Sequence, residues 1–158
     1  MPVLSSPRAA HLATEFLTFR LGSEEYCIDI LKVREIRGYE PPTRIANAPA
    51  FIRGVINLRG LIVPIFDLRL KFNCEQAPYD DFTVVIILAL GERTVGVVVD
   101  SVSDVLQIQP DLVRAAPQID TGVDDSCITG LASVDERMLI VLDIERLMGG
   151  ADMGLMPA

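Results

Sequence analysis

The chain has 158 residues, half of them hydrophobic, and a formal net charge of -8 at neutral pH. An acidic chain lacks the basic surface that binds nucleic acid, so the composition argues against a nucleic-acid partner. Its apolar runs, such as VVIILAL at 84–90, are much shorter than the roughly 18 residues of a membrane-spanning helix, so we expect no direct membrane insertion.

The first residues, MPVLSSPRAAHLAT (1–14), contain no apolar segment of the kind that secretory signals carry. They predict a flexible tail on a cytoplasmic protein. The three cysteines, Cys27, Cys74 and Cys127, are odd in number and far apart, which indicates core thiols rather than a disulfide framework or a thiolate metal site.

The first predicted element is a β-hairpin. FLTFRL (16–21) alternates in polarity and is followed, after a short turn, by SEEYCIDI (23–30). Ile30, Val33 and Ile36 then recur at every third position, a spacing that predicts one helical turn rather than another strand. A second hairpin at 83–100 and the spacing of Val99, Val102 and Val105 repeat both features.

A stiff loop and another hairpin follow. The segment 39–49 carries three prolines and is expected to have little regular structure. GVINL and LIVPIFDL flank an N-L-R-G turn in which Gly60 can take a positive φ. Pro64 cannot donate to a strand ladder, so it predicts a sheet edge or a bulge.

The chain repeats itself. Residues 54–68 are echoed without a gap by 130–144, residues 21–36 by 90–105, and residues 41–49 by 110–117. Two copies therefore occupy about 16–72 and 83–148, followed by a flexible tail at 149–158. A single barrel of about 60 residues is marginally stable, so we expect an all-β protein whose two copies bury a shared interface.

No enzyme signature stands out. His11 is the only histidine, which removes Ser-His-Asp and Cys-His nucleophiles. Asp120-Thr121-Gly122 matches the aspartic protease triplet, but the other copy has no counterpart, and a turn in an acidic loop is the favoured interpretation. Four aspartates end strands and are expected to cap turns or helices: Asp29, Asp67, Asp100 and Asp143. We therefore expect a noncatalytic binding module with no cofactor and no metal.

Three blocks resemble the CheW family of chemotaxis coupling proteins: I-D-I-x-x-V-x-E-I at 28–36, N-L-R-G-x-x-x-P-x-x-D-L at 57–68 and D-x-V-x-x-V at 100–105. The resemblance covers about residues 15–148. It implies two five-stranded SH3-like β-barrels packed side by side, with short helical turns. It leaves open which hairpins close which barrel, including whether strands are exchanged and the last strand returns to the first.

The resemblance also implies a noncatalytic adaptor that links methyl-accepting chemoreceptors to the regulatory domain of the histidine kinase CheA, in arrays associated with the membrane. Further copies of the chain are additional candidate partners. A CheW-like scaffold in a non-motility chemosensory pathway is the alternative.

Candidate site residues follow from the same resemblance. A receptor helix is expected to dock in a groove between the barrels, on the residues Val33, Glu35, Ile36, Arg59, Val102 and Val105. Two opposed outer faces are expected to bind the kinase, one through Tyr39, Thr43, Arg44 and Ile45, the other through Arg114, Gln118 and Ile119. Gly54, Asn57 and Gly60 are expected to shape the hairpin that supports the groove.

Overall fold

The computed structural model describes residues 15–71, 78–115 and 127–148. Within these ranges the chain forms eleven strands, two short α-helices and two 3-10 helices, Ile30–Lys32 and Pro110–Leu112. The strands are β1 (Glu15–Leu21), β2 (Glu24–Asp29), β3 (Val33–Gly38), β4 (Ile52–Leu58), β5 (Leu61–Asp67), β6 (Val84–Leu90), β7 (Arg93–Val99), β8 (Ser101–Gln107), β9 (Val113–Arg114), β10 (Ile128–Val134) and β11 (Arg137–Leu142). The α-helices are α1 (Leu68–Lys71) and α2 (Ile144–Met148).

The strands form two sheets. Barrel 1 has the order β8-β1-β2-β11-β10-β9, and barrel 2 has the order β3-β6-β7-β5-β4. The all-β, two-barrel SH3-like fold predicted from the sequence is confirmed. Barrel 1 has a sixth strand, β9, which is only two residues long.

Each barrel takes strands from both halves of the chain. The first hairpin of the N-terminal half, β1–β2, lies in barrel 1 beside β11, while β3, β4 and β5 lie in barrel 2 with β6 and β7. Two parallel pairs join the halves, β2 with β11 and β5 with β7. All other strand pairs are antiparallel.

The two barrels have the same internal register. A bulge interrupts β4 opposite β5 between Ile52 and Gly54, and an equivalent bulge interrupts β10 opposite β11 between Ile128 and Gly130. The echo of 54–68 in 130–144 is therefore a structural equivalence with a constant offset of 76 residues. In the same way, Ile36 pairs with Ile86 in barrel 2 as Val105 pairs with Leu17 in barrel 1.

Three apolar clusters hold the fold together. One fills barrel 1 and includes Phe16 and Val141, and a second fills barrel 2 and includes Ile65 and Ile87. The largest, here called the shared core, contains buried residues of both sheets. Because the central strands are buried on both faces, they have continuous apolar sequences such as VVIIL rather than alternating ones.

The prediction of a helical turn at 30–36 is only partly correct. Ile30–Lys32 form a short 3-10 helix, but Val33–Gly38 is a strand. In the second half Val99 ends β7, and Val102 and Val105 lie in β8, so no helical turn separates them. The three-residue spacing misleads because bulges shift the alternation of both edge strands.

Of the two positions expected for Pro64, a sheet edge or a bulge, the edge is wrong: Pro64 lies in a central strand of barrel 2, between β7 and β4. The bulge of β4 between Ile52 and Gly54 begins one residue pair away. The backbone N–H and C=O of its partner Val55 bond to Thr43, so Val55 and Pro64 form a pair without mutual hydrogen bonds. On the other side, the ladder with β7 begins at Ile65. The missing N–H of Pro64 therefore falls where no ladder bond needs it.

The aspartates at strand ends act largely as predicted. The Asp29 carboxylate accepts from the Leu31 amide, Asp67 from the Arg69 amide and Asp143 from the Arg146 amide. Asp100 instead accepts from the amide of Gly22, in the β1–β2 turn. Of the cysteines, Cys27 and Cys127 are buried, as predicted, and burial raises the pKa of the Cys27 thiol to about 12; Cys74 lies outside the described residues.

Candidate functional site

Two equivalent edge strands carry most of the residues predicted to bind the receptor. β3 pairs only with β6 and β8 pairs only with β1, so each ends its sheet. Val33 and Val102 occupy equivalent positions and are half-buried against the shared core. Ile36 and Val105, also equivalent, are exposed by 43% and 49%. The inner pair therefore supports the junction of the barrels, while the outer pair is available to a partner.

Glu35 and Arg59, both predicted at the receptor site, form an ion pair with 2.5 Å between Oε1 and Nη2. The pair joins the tip of the β4–β5 hairpin to β3, because Arg59 lies at the turn between those strands. The hydrogen bond from Arg59 lowers the pKa of the Glu35 carboxyl. Since the Arg59 side chain is 73% exposed, the contact can also exchange for one with a partner carboxylate.

Barrel 1 has a corresponding ion pair built from different positions. Arg137, which begins β11, bonds to Asp104 of β8 at 3.1 Å and to Glu25 of β2 at 2.7 Å. Asp104 is equivalent to Glu35, but Arg137 is equivalent to Leu61 and not to Arg59. The hydrogen bonds from Arg137 lower the pKa of Glu25 and of Asp104.

Sequence reasoning missed exposed apolar residues at the hairpin tips. Leu61 and Ile62 follow the β4–β5 turn and are 46% and 59% exposed, and Met138, the equivalent of Ile62, is 58% exposed. Each tip is tied to the edge strand that carries Ile36 or Val105 by the ion pairs described above. The sequence contained one sign of these residues: Ile62 and Met138 are both apolar and occupy equivalent positions in the two copies.

The hairpin turns depend on left-handed backbone. Arg59 and Gly60 have φ of 52° and 90°, and the amide of Gly60 donates to Asn57 Oδ1 at 2.8 Å. Gly54 has φ of 142°, and a Cβ atom there would lie 2.0 Å from the carbonyl oxygen of Thr43. Glycine at position 54 therefore lets the 39–45 connection cross closely over β4.

The two predicted kinase faces lie at equivalent connections. Thr43 pairs with Val55 of β4, and Arg114 pairs with the equivalent Leu131 of β10. Arg44, Ile45 and Arg114 are exposed. Tyr39 is instead half-buried, with its ring stacked on that of Tyr79 at a centroid distance of 4.2 Å. Gln118 and Ile119, together with the Asp120-Thr121-Gly122 triplet, lie outside the described residues.

A buried arginine was not anticipated from the sequence. The Arg69 side chain is completely buried and contacts Asp67 and Asp100, each at 2.9 Å. Burial acts to lower the pKa of Arg69, but the hydrogen bonds to both carboxylates outweigh it and raise the pKa. Because Asp100 also binds the Gly22 amide of barrel 1, this network ties the two barrels together.

The arrangement contains no candidate metal centre in residues 15–71, 78–115 and 127–148: no group of three or more His, Cys, Asp or Glu side chains could hold an ion there. In the same ranges no helix is long and apolar enough to cross a membrane. What the molecule offers is surfaces: two exposed edge strands and two outer connections.

Comparison with known proteins matches this architecture. The family model for the CheW-like domain matches residues 15–152. The chemotaxis protein CheW of Klebsiella aerogenes is 56% identical over 141 residues, covering 89% of this chain and 85% of the relative, and that of Rhizobium meliloti is 35% identical over 140 residues, covering 87% and 90%. The crystal structure of the scaffolding protein TtCheW from Thermoanaerobacter tengcongensis superposes with a TM-score of 0.78 at 30% identity, covering 87% of this chain and 88% of that one.

Proposed function

The chain belongs to the CheW family of chemotaxis scaffold proteins, and on that premise we propose that it is a noncatalytic adaptor. In this role it binds the cytoplasmic tips of methyl-accepting chemoreceptors and the regulatory domain of the histidine kinase CheA, and it places kinase autophosphorylation under receptor control. Its place is the cytoplasmic side of membrane-associated receptor arrays. The observation that carries the proposal is the pair of equivalent edge strands, each exposing an aliphatic residue beside an ion pair.

The receptor partner is a helix. Ile36 and Val105 supply exposed aliphatic contacts of the kind that anchor an amphipathic helix, and Val33 and Val102 form their support on the shared core. Glu35 and Arg59 are the charged groups beside Ile36, where they would set the register and association rate of the helix.

The kinase partner binds at the outer connections. Thr43, Arg44 and Ile45 present one surface on barrel 2, and Arg114 marks the equivalent surface on barrel 1. Loops held on a rigid scaffold are common binding elements, and two such surfaces allow one adaptor to contact two kinase domains. Gln118 and Ile119 complete the second surface in this proposal.

Moderate affinity at each surface is sufficient. A small interface with a dissociation constant of about 1 μM contributes about -8 kcal/mol. Several such contacts in an array raise the effective concentration of every component, so the assembly holds without any tight pair. Receptor state then reaches the kinase as a coupling free energy of about 1–3 kcal/mol.

The receptor surface is tested by Ile36→Asp. This side chain is exposed, so the charge should leave the fold intact and prevent co-sedimentation with a receptor cytoplasmic fragment in the absence of kinase. Leu112→Asp is the matched control, because Leu112 is 46% exposed but lies outside both edge strands. Equal receptor binding by the two variants would contradict the assignment.

The adaptor role itself is tested by reconstitution. Receptor fragment, CheA and this chain are combined, and phosphate transfer from ATP to the kinase is measured with and without the chain. We expect the chain to increase kinase activity in the presence of receptor and Ile36→Asp to abolish the increase. Activity that is independent of the chain would overturn the proposed coupling.

A further inference from the structure

Barrel 2 contains an occupied tyrosine site formed by Tyr39, Arg53, Asp67 and Arg69. The Tyr79 hydroxyl donates to Asp67 Oδ2 at 2.7 Å, and its ring stacks on Tyr39. The Arg53 and Arg69 guanidinium groups lie 5.4 and 4.8 Å from the ring centroid. We call this site the tyrosine seat. Its occupant, Tyr79, precedes β6 in the same chain.

At the equivalent place the described residues of barrel 1 form a cleft with a volume of about 460 Å³, within the range of about 300–1,000 Å³ that is usual for ligand sites. Arg53, Asp67 and Arg69 correspond to Thr129, Asp143 and Glu145 by the offset that relates β4–β5 to β10–β11. By the offset that relates β3 to β8, Tyr39 corresponds to Ile108, which is buried in the core of barrel 1. The other three equivalents, Thr129, Asp143 and Glu145, line the cleft together with Pro110.

Compared with the tyrosine seat, the cleft has an apolar floor and an acceptor carboxylate, that of Asp143, but it lacks the two arginines. Phe16, Val113 and Val141 line its interior. Where the tyrosine seat has two arginines, the cleft has Thr129 and Glu145, and Asp29 and Asp143 add further negative charge against the single cation Lys32. An aromatic ring placed here would lie in an acidic environment without the guanidinium groups that flank Tyr79.

We propose that this cleft of barrel 1 is a docking site for a tyrosine of a partner protein, flanked in the partner by basic residues. The ring occupies the apolar floor against Pro110, and the phenol hydroxyl donates to Asp143 as that of Tyr79 donates to Asp67. The partner's lysine or arginine side chains supply the positive charge that Arg53 and Arg69 supply within the tyrosine seat. The site is distinct from the edge strands and does not depend on the receptor proposal.

Two arguments favour this occupant. In barrel 2 this framework holds a tyrosine, since all four seat residues contact Tyr79 through the hydroxyl or the ring face. Charge complementarity supplies the second argument, because the cleft lining carries three carboxylates and one amine. Aromatic anchors in desolvated pockets and opposite charges at the rim are the usual basis of a selective contact.

The test is a titration of the ¹⁵N-labelled full chain with the blocked peptide acetyl-Lys-Pro-Tyr-Arg-amide, followed by amide chemical shifts. We expect saturable shifts centred on Thr129, Asp143 and Glu145. A second peptide with phenylalanine in place of tyrosine should bind about tenfold more weakly, as loss of one charge-assisted hydrogen bond predicts. A third peptide with glutamate in place of both basic residues should also bind at least tenfold more weakly, because like charges then meet at the cleft.

Two variants localise the binding. Asp143→Asn keeps an oxygen for the Arg146 amide but removes the charge, and should weaken binding of the tyrosine peptide about tenfold. Thr129→Arg introduces the cation found in the tyrosine seat and should reject the basic peptide, which keeps the test decisive if Asp143→Asn does not fold. Shifts that are the same for all three peptides, or unchanged in folded variants, would overturn the proposal. Binding that appears only after removal of residues 149–158 would also overturn it, because the chain's own end would then be the occupant.

Discussion

Arg69 and Glu145 occupy equivalent positions after β5 and β11, and they form ion pairs of opposite polarity. Arg69 binds Asp100, between β7 and β8, whereas Glu145 binds Lys32, between β2 and β3. In a barrel built from one half of the chain alone, Arg69 would lie beside Lys32 and Glu145 beside Asp100. The like charges oppose that pairing, so the polarity reversal favours the exchanged arrangement of strands.

Replacement of Arg69 should be the most damaging single change among the ion-paired residues discussed here. Arg69→Ala leaves the buried Asp67 carboxylate without its guanidinium partner, and we expect a loss of about 3–5 kcal/mol in the free energy of unfolding. Urea denaturation at pH 7 measures it. Arg59→Ala is the control, because that arginine is 73% exposed and its loss should be small. Similar losses for the two variants would show that the buried network does not stabilise the fold.

The hairpins and the doubling could be predicted from the sequence, because turn residues and strand periodicity are local signals. The two SH3-like barrels were predicted from the family resemblance. The exchange of strands could not be predicted, because similar halves make pairing within a half and between halves equally consistent with the pattern. The polarity difference between Arg69 and Glu145 separates these pairings only through their partners Asp100 and Lys32, which the fold brings together.

The sequence placed the candidate receptor residues at equivalent positions of the two copies, but their burial could not be predicted from it. Val33 and Ile36 were expected to act together, yet they differ in burial because β3 is an edge strand with a bulge. Tyr79 showed no local signal, since its role depends on contacts with Tyr39 and Asp67 that the fold brings together. The placement of the functional residues as binding contacts stays a prediction.

The two hairpin turns predict opposite effects of glycine. Glu136 has φ of 68° at the position equivalent to Gly60. Glu136→Gly should stabilise the chain by up to about 1 kcal/mol, because relief of about 1–2 kcal/mol of left-handed strain exceeds the entropic cost of about 0.4–1 kcal/mol. Gly60→Ala, where a Cβ atom has no neighbour within 4 Å, should destabilise it by strain alone. Thermal unfolding of both variants checks the signs, and a destabilised Glu136→Gly would refute the account.

Acid sensitivity should depend on Arg137. Its hydrogen bonds lower the pKa of Glu25 and Asp104 below their ordinary values of 4.5 and 3.8. A lowered folded-state pKa contributes stability above the unfolded-state pKa, and this stability is lost as the pH falls through the folded-state pKa. Stability should therefore fall on acidification below about pH 4.5, and Arg137→Gln should reduce this dependence. Urea denaturation at pH 7 and pH 3.5 measures the free energy of unfolding of the parent chain and of Arg137→Gln. If the loss of stability between the two pH values is the same in both proteins, Glu25 and Asp104 are not its source.

Gly54 should control the proposed kinase surface on barrel 2. A Cβ atom at this position would lie 2.0 Å from the Thr43 carbonyl oxygen, which accepts from the Val55 amide at 2.9 Å. Gly54→Ala should break this bond, displace the 39–45 connection and weaken binding of the kinase regulatory domain.

The Val55 amide should then exchange with solvent deuterium faster in Gly54→Ala than in the parent chain, and the affinity for the kinase domain should fall in parallel. Gly38→Ala is the matched control, because a Cβ atom there meets nothing within 4 Å and the backbone is extended. Gly130→Ala makes the equivalent clash with Arg114 in barrel 1 and should spare the 39–45 surface. If Gly54→Ala displaces the 39–45 connection but the affinity for the kinase domain does not change, then Thr43, Arg44 and Ile45 do not belong to the interface.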